Sequence, residues 1–314
     1  MTEDRTFILG TRGSPLALWQ AERVKTLLAE AQPGCNVKIE IIHTIGDKIL
    51  DKPLVQVGGK GIFTKEIENA LLDKSIDFAV HSFKDLPTML PEGLGVTAIP
   101  ERDSPFDALI SRRYSSLLEM PEAPVIATGS LRRRAQVLAL RPNAQVIDLR
   151  GNVNTRFQKY NDADWDGMIM AHAAIRRMEW EDRIAGVIQP GEMLPAPAQG
   201  AIAIESRIDD EETRTLLQSI HDAETAISVM AERSFLATLE GGCQAPMAAY
   251  ATVKDGLVTL EGMTSALDGK PMLRESKQAP CKDAEALGRE LAQSLLDQGA
   301  DEIIETLKSL NQKS

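Results

Sequence analysis

Short runs rich in Val, Ile and Ala alternate with amphipathic stretches through the first two-thirds of the 314-residue chain, and this alternation restricts the fold more than any other feature. It places strands at 6–9, 37–42, 78–81, 125–127, 146–149, 168–171 and 201–204. Helices fall at 15–31, 64–73, 131–140, 153–160, 213–219 and 223–239. Such a succession builds a mostly parallel sheet with helices on its faces. The last third changes character. Three strand-like runs at 247–253, 257–263 and 271–277 are joined by the Asp255-Gly256 and Asp268-Gly269 turns, and helices follow at 284–297 and 301–310. That order predicts an antiparallel sheet with helices, a separate α+β domain. Two Pro- and Gly-rich stretches, 87–105 and 190–200, read as crossings between domains. No internal repeat is visible in the sequence.

The balance of 35 basic against 46 acidic residues gives a net charge of −11, which argues against general nucleic-acid binding. The arginines are nevertheless concentrated: Arg132, Arg133, Arg134, Arg141, Arg150, Arg156, Arg176 and Arg177 all fall in the middle third. Locally clustered arginine on an acidic chain suggests a site for a small polyanion, although any one of them also suits a solvated helix face. Cys35, Cys243 and Cys281 are too scattered for a disulfide framework, and with His43, His81, His172 and His221 far apart no metal site is expected. The N-terminus lacks a secretory signal and no segment is apolar enough to span a bilayer. A reducing cytoplasm is the natural compartment.

Several turns carry chemistry. In TRGSPLALWQ, Ser14 is a good N-cap and Pro15 a good first helical residue, so a helix opens with free N–H groups at a strand's end, an anion-binding arrangement. An ordinary capped helix explains Ser14 and Pro15 but not Arg12. GSLRRRAQ repeats the device, with Ser130 as cap and Arg132 and Arg133 in the first turn. Cations there oppose the helix dipole at about 0.3–1 kcal/mol each, a conflict that a bound anion would remove. LRGNVNTR places Arg150 and Arg156 around a third strand-to-helix turn. Ligands in open α/β sheets gather at the carboxyl ends of strands, and arginine forks hold carboxylate or phosphate. In AVHSFKDLP, Asp85 is the one carboxylate among these basic turns and the best acid/base candidate; a structural Lys84–Asp85 pair is the alternative. VGGKGIF lacks the spacing of a nucleotide-hydrolysing loop and fits a mobile lid carrying Lys60 and Phe63. In LEGGCQAP, Cys243 is a lone thiol behind two glycines, either a reactive group or a small buried hydrophobe.

Taken together and in their order along the chain, these segments resemble the porphobilinogen deaminase (hydroxymethylbilane synthase) family from about residue 8 to residue 301. The resemblance implies an enzyme that joins four porphobilinogen units head to tail into hydroxymethylbilane, releasing ammonia at each addition, in tetrapyrrole biosynthesis. It implies a dipyrromethane cofactor held by a thioether to Cys243. Asp85 matches the catalytic aspartate. Lys84, Asp85, Ser130, Arg132 and Arg133 match cofactor-binding positions; Arg12, Ser14, Arg150, Arg156 and Arg177 match positions that bind substrate carboxylates. Lys60 and Phe63 fall on the active-site loop. The implied fold has two α/β domains like periplasmic binding proteins, 1–100 with 200–219 and 101–199, and a smaller C-terminal α+β domain, 220–314, with a three-stranded antiparallel sheet. The implied partner is porphobilinogen, with no nucleic acid, membrane or metal, and the expected state is a monomer. The chain departs from the family pattern at Gly129, where a second hydroxyl is usual, at Ala198, where Gly is typical, and at His172 and Ala174; His172 reads as a helix-start residue. An anion-binding module without chemistry would share the arginine-bearing turns but needs neither Cys243, Asp85 nor the third domain.

Overall fold

The computed structural model describes residues 5–48, 61, 63–239 and 245–312. They form two compact units, one of residues 1–103 with 201–226, the other of residues 104–200 with 227–314.

The first unit is built on a five-stranded sheet. Its strands are β1 (Thr6–Thr11), β2 (Asn36–Ile41), β3 (Phe78–Ser82), β4 (Leu94–Ala98) and β10 (Ile202–Arg207), in the order β2-β1-β3-β10-β4. β1 runs parallel to β2 and β3, whereas β10 is antiparallel to both of its neighbours. Helix α1 (Pro15–Ala31) covers one face. Its residues Ala21, Val24 and Leu28 recur at helical spacing and pack with Leu9, Phe78 and Ile204. The short α2 (Ile45–Lys48) follows β2. On α3 (Lys65–Leu72), Ile67 and Leu71 close over Ile76 and Ala79.

The second unit contains a sheet of the same plan. Its strands are β5 (Asp107–Ile110), β6 (Val125–Ala127), β7 (Gln145–Ile147), β8 (Gly167–Ala171) and β9 (Gly186–Ile188), in the order β7-β6-β8-β5-β9. β6 is parallel to β7 and β8, and β5 is antiparallel to β8 and β9. In each sheet the antiparallel strand stands between the third and fifth positions. The two sheets thus repeat one topology that no repeat in the sequence announces. Helices α4 (Leu131–Leu140), α5 (Val153–Asp162) and α6 (His172–Arg176) follow β6, β7 and β8.

Helix α7 (Glu211–Gln218) belongs to the first unit, and α8 (Ala223–Leu239) leads to the antiparallel sheet β11 (Met247–Lys254), β12 (Leu257–Ser265), β13 (Met272–Pro280). Asp255 and Gly256, at φ +52° and +75°, make the tight turn that the sequence signalled. Leu260 in this sheet packs with Phe235 of α8, Leu287, Leu291 and Leu295 of α9 (Ala284–Asp297), and Ile304 of α10 (Ala300–Gln312). The expected C-terminal α+β architecture is therefore present. Within the second unit this sheet is seated against α4 at Gly269, where a Cβ would collide with the backbone of Ala135 and Ala139.

The structure corrects the sequence reading at β4, β5 and β9. β4 occupies part of the 87–105 stretch read as a crossing, and the other two span only four and three residues. Each sheet is mostly parallel, as expected, with one antiparallel strand, β10 in the first and β5 in the second. Ala198 adopts φ +60°, the left-handed conformation that suits glycine and costs a side-chain-bearing residue about 1–2 kcal/mol. Its amide donates to the buried Glu232 carboxylate at 2.6 Å, and Glu232 also accepts from Ala251 N at 2.9 Å.

Candidate functional site

In the first sheet the parallel neighbours β1 and β3 end side by side, so the turns after them, Arg12–Ser14 and Phe83–Asp85, share one edge. A cavity of about 90 Å³ lies there, lined among others by Arg12, Ser14, Gln20, Phe63, His81 and Asp85. Ser14 caps α1 as expected, its oxygen accepting from Ala17 N at 3.3 Å. The Arg12 guanidinium lies over the Phe63 ring, 4.1 Å from its centroid. Gly46 makes room for that ring, which would collide with a Cβ there. Gln20 donates to Ser82 Oγ at 2.9 Å and ties α1 to β3. Asp85 is exposed, and its carboxylate has no hydrogen-bond or ion-pair partner among the described residues. The alternative of a Lys84–Asp85 structural pair is thereby excluded. Lys84 is half-buried beside it.

In the second unit the carboxyl ends of β6, β7 and β8 lead into the arginine-bearing turns. Ser130 caps α4, accepting from Arg133 N at 3.4 Å. Arg150 pairs with Asp148 at 3.0 Å, and Arg156 Nε donates to Gly151 O at 2.8 Å. Both are half-buried. Arg177 is buried and donates to Gly200 O at 2.6 Å. Arg132 and Arg133 are buried too, and both turn to Asp107, which is fully enclosed. Arg132 donates to its two oxygens at 2.8 and 3.2 Å; Arg133 donates to Oδ1 at 3.0 and 2.7 Å; Gln199 adds a bond at 2.9 Å. A protein carboxylate thus relieves the conflict between these arginines and the helix dipole. Gly129 accounts for the missing second hydroxyl, because any Cβ there would run into the Leu149 carbonyl. His172 opens α6, as expected, with Nδ1 2.8 Å from Ser104 Oγ.

Burial alone would raise the Asp107 carboxyl, but the charges of Arg132 and Arg133 outweigh it and hold the group well below the usual carboxylate range. Burial lowers Arg132 from its ordinary value, yet a guanidinium starts so high that it stays charged at neutral pH. The carboxylate therefore governs the acid response. A depressed folded-state value means that the stabilisation is complete above the unfolded range near pH 4 and fades only as the pH falls through the lower folded value. Asp107→Asn should cost about 3–5 kcal/mol, since it leaves two buried cations facing a neutral amide. Denaturant melts should show a gap from the parent protein that is constant from neutral pH to about pH 4 and narrows below it.

Asp107, Gln199, His81 and Glu205 were not singled out by the sequence reading. Glu205 carried one available signal, a carboxylate directly after the apolar run 201–204 that was read as a strand; Asp107 opens the short β5, which was not read. Cys243 and Lys60 lie outside the described residues. Cys243 falls on the connection between α8 and β11.

Two family models match the chain: "Porphobilinogen deaminase, dipyromethane cofactor binding domain" over residues 7–215 and "Porphobilinogen deaminase, C-terminal domain" over residues 226–297. The chain belongs to the porphobilinogen deaminase family. A porphobilinogen deaminase of Syntrophobacter fumaroxidans is 45% identical, covering 97% of this chain and 98% of its own. That of Syntrophotalea carbinolica is 48% identical over 95% of each chain, and that of Chloroherpeton thalassium 46% over 98% and 99%. Among solved structures, a methionine-bound nutrient-binding protein from Burkholderia cenocepacia aligns at 12% identity and TM-score 0.43, over 70% of this chain and 93% of that one. As a porphobilinogen deaminase family member, the chain is a transferase of tetrapyrrole biosynthesis with a dipyrromethane cofactor. Among the described residues, no helix is long and apolar enough to cross a membrane.

Proposed function

We propose that this chain polymerises porphobilinogen into hydroxymethylbilane with Asp85 as its catalytic carboxylate and Cys243 as the covalent tether. Lys84, Asp85, Ser130, Arg132 and Arg133 hold the dipyrromethane. Arg12, Ser14, Arg150, Arg156 and Arg177 bind the acetate and propionate groups of the substrate, with Phe63 and Lys60 on the adjoining loop. When bound, the dipyrromethane would supply the primer, a pyrrole carbon to which the first unit is joined.

The observation that carries this reading is the charge balance around Asp107. Two guanidiniums share one carboxylate, which leaves one surplus positive charge, and the buried Arg132 Nε–H has no partner among the described residues. A carboxylate-bearing group fits that vacancy in the hydrogen bonding, gaining a charge-assisted bond without displacing Asp107. On the other unit, Asp85 offers an uncommitted negative charge in the cavity that Arg12 also lines, to meet the positive charge that develops as ammonia leaves the substrate. Arg12 itself is held flat by the Phe63 ring, so its fork is oriented before a carboxylate arrives. In this reading the chain works as a cytoplasmic monomer, divided into domains of residues 1–100 with 200–219, 101–199 and 220–314.

The test is stoichiometric. Purified protein incubated with porphobilinogen should release one ammonia per molecule consumed and form a four-ring product. Tight binding of porphobilinogen with no ammonia released would point instead to an anion-binding module.

A further inference from the structure

The condensation needs two different services from the protein. Joining the aminomethyl carbon of one porphobilinogen to a ring carbon of the preceding unit breaks a C–N bond and a ring C–H bond and forms one C–C bond. The amine departs as ammonia. The ring hydrogen departs as a proton, its bonding electrons returning to the ring, and the released ammonia finally carries that proton as ammonium. A carboxylate that must stay ionised to stabilise developing positive charge is poorly suited to hold the proton as well. Where one site must supply both, two titratable groups in different environments divide the work.

His81 is the second group that the cavity offers. It is 7% exposed, lies on β3 four residues before Asp85, and lines the same cavity. Its Nε2 is 2.9 Å from Oε2 of Glu205, a carboxylate on β10 with no exposed surface. A carboxylate accepts, so Nε2 carries the hydrogen and the neutral ring keeps its lone pair on Nδ1. Nδ1 has no hydrogen-bond partner among the described residues. A buried carboxylate orienting an imidazole, whose other nitrogen is left for a reacting proton, is the geometry of an oriented general base.

The charged groups around the ring come from four elements. Glu205 lies on β10, Glu68 on α3, Arg12 on the turn before α1, and Lys84 and Asp85 follow β3. Burial raises the Glu68 carboxyl, and the charge of Glu205 adds to this. Glu205 Oε1 has no partner.

Building on the function proposed above, we propose that His81 is the general base that takes the ring proton through Nδ1 in each condensation, and that Glu205 is a positioning residue acting through it. His81→Gln holoprotein should keep its covalent cofactor and lose about 10²- to 10⁴-fold in kcat. Substrate deuterated at its free ring carbon should then show a primary isotope effect of several-fold that the parent protein lacks, because proton removal has become rate-limiting. Glu205→Gln should give a smaller loss with the same isotope signature. In the ¹⁵N spectrum of the parent holoprotein, neutral His81 should carry its hydrogen on Nε2 and none on Nδ1. A His81→Gln rate within about twofold of the parent, a slow variant without an isotope effect, or a spectrum with Nδ1 protonated in the neutral ring each overturns the assignment. The spectrum decides even if the variants do not fold. Parent protein that consumes no porphobilinogen would contradict the proposed function instead, which keeps the two failures apart.

Discussion

Cys243→Ser should yield folded protein with no covalent cofactor and no measurable polymerisation, a loss of at least about 10³-fold. Assembly of the tether requires a sulfur nucleophile. A thiol is a few per cent ionised at neutral pH, and the thiolate is intrinsically reactive, whereas a serine hydroxyl without an adjacent base is neither. On either side, α8 and β11 are held by the core around Phe235 and Leu260. The thermal midpoint should therefore fall only by whatever the bound cofactor itself contributes through mass action. Colour with Ehrlich's aldehyde reagent reads the cofactor directly. Normal colour in this variant would place the attachment elsewhere.

Asp85→Asn should fold and retain cofactor, but lose about 10²- to 10³-fold in the rate of porphobilinogen consumption. Asparagine matches aspartate in shape and loses only its charge. Asp85 makes no internal hydrogen bond or ion pair among the described residues, so the change in stability should stay within about 0.5 kcal/mol. Its contribution to the reaction should nevertheless be large. The carboxylate lines the same cavity as Arg12, and bound substrate displaces water from around it, which strengthens its field on the reacting ring. The pattern to look for is a fall in kcat with KM little changed, the mark of an interaction made mainly in the transition state. Rates within about threefold of the parent would remove Asp85 from the mechanism.

The local features of the site could be read from sequence because they depend on neighbours a few residues away. Ser14 and Ser130 cap their helices through amides three residues on. Strand ends read at 9, 81, 127 and 171, each within two residues of the observed ends, likewise placed the arginine and lysine turns on the carboxyl edges of their sheets. What escaped depends on distant partners. Nothing near Asp107 in the chain shows that Arg132, Arg133 and Gln199 will converge on it from 25, 26 and 92 residues away. The His81–Glu205 pair spans 124 residues and forms only when β10 is laid antiparallel against β3. β4, β5 and β9 escaped for a different reason: β4 and its Gly95 lie within the Pro- and Gly-rich 87–105 stretch, β5 is a four-residue run opened by an aspartate, and β9 is a three-residue run opened by Gly186. The role of Cys243 is a third case, since local chemistry left a reactive and a buried thiol both open and only the family resemblance separated them.

The central claim is that this chain carries its own covalently attached primer. Intact-mass measurement of the purified protein, taken before and after incubation with porphobilinogen, tests it most directly. The account predicts a mass that exceeds the polypeptide by two linked pyrrole units, either as isolated or after incubation, and that returns to the bare chain when Cys243 is replaced by Ser. A parent protein that remains at the bare polypeptide mass after incubation would contradict it.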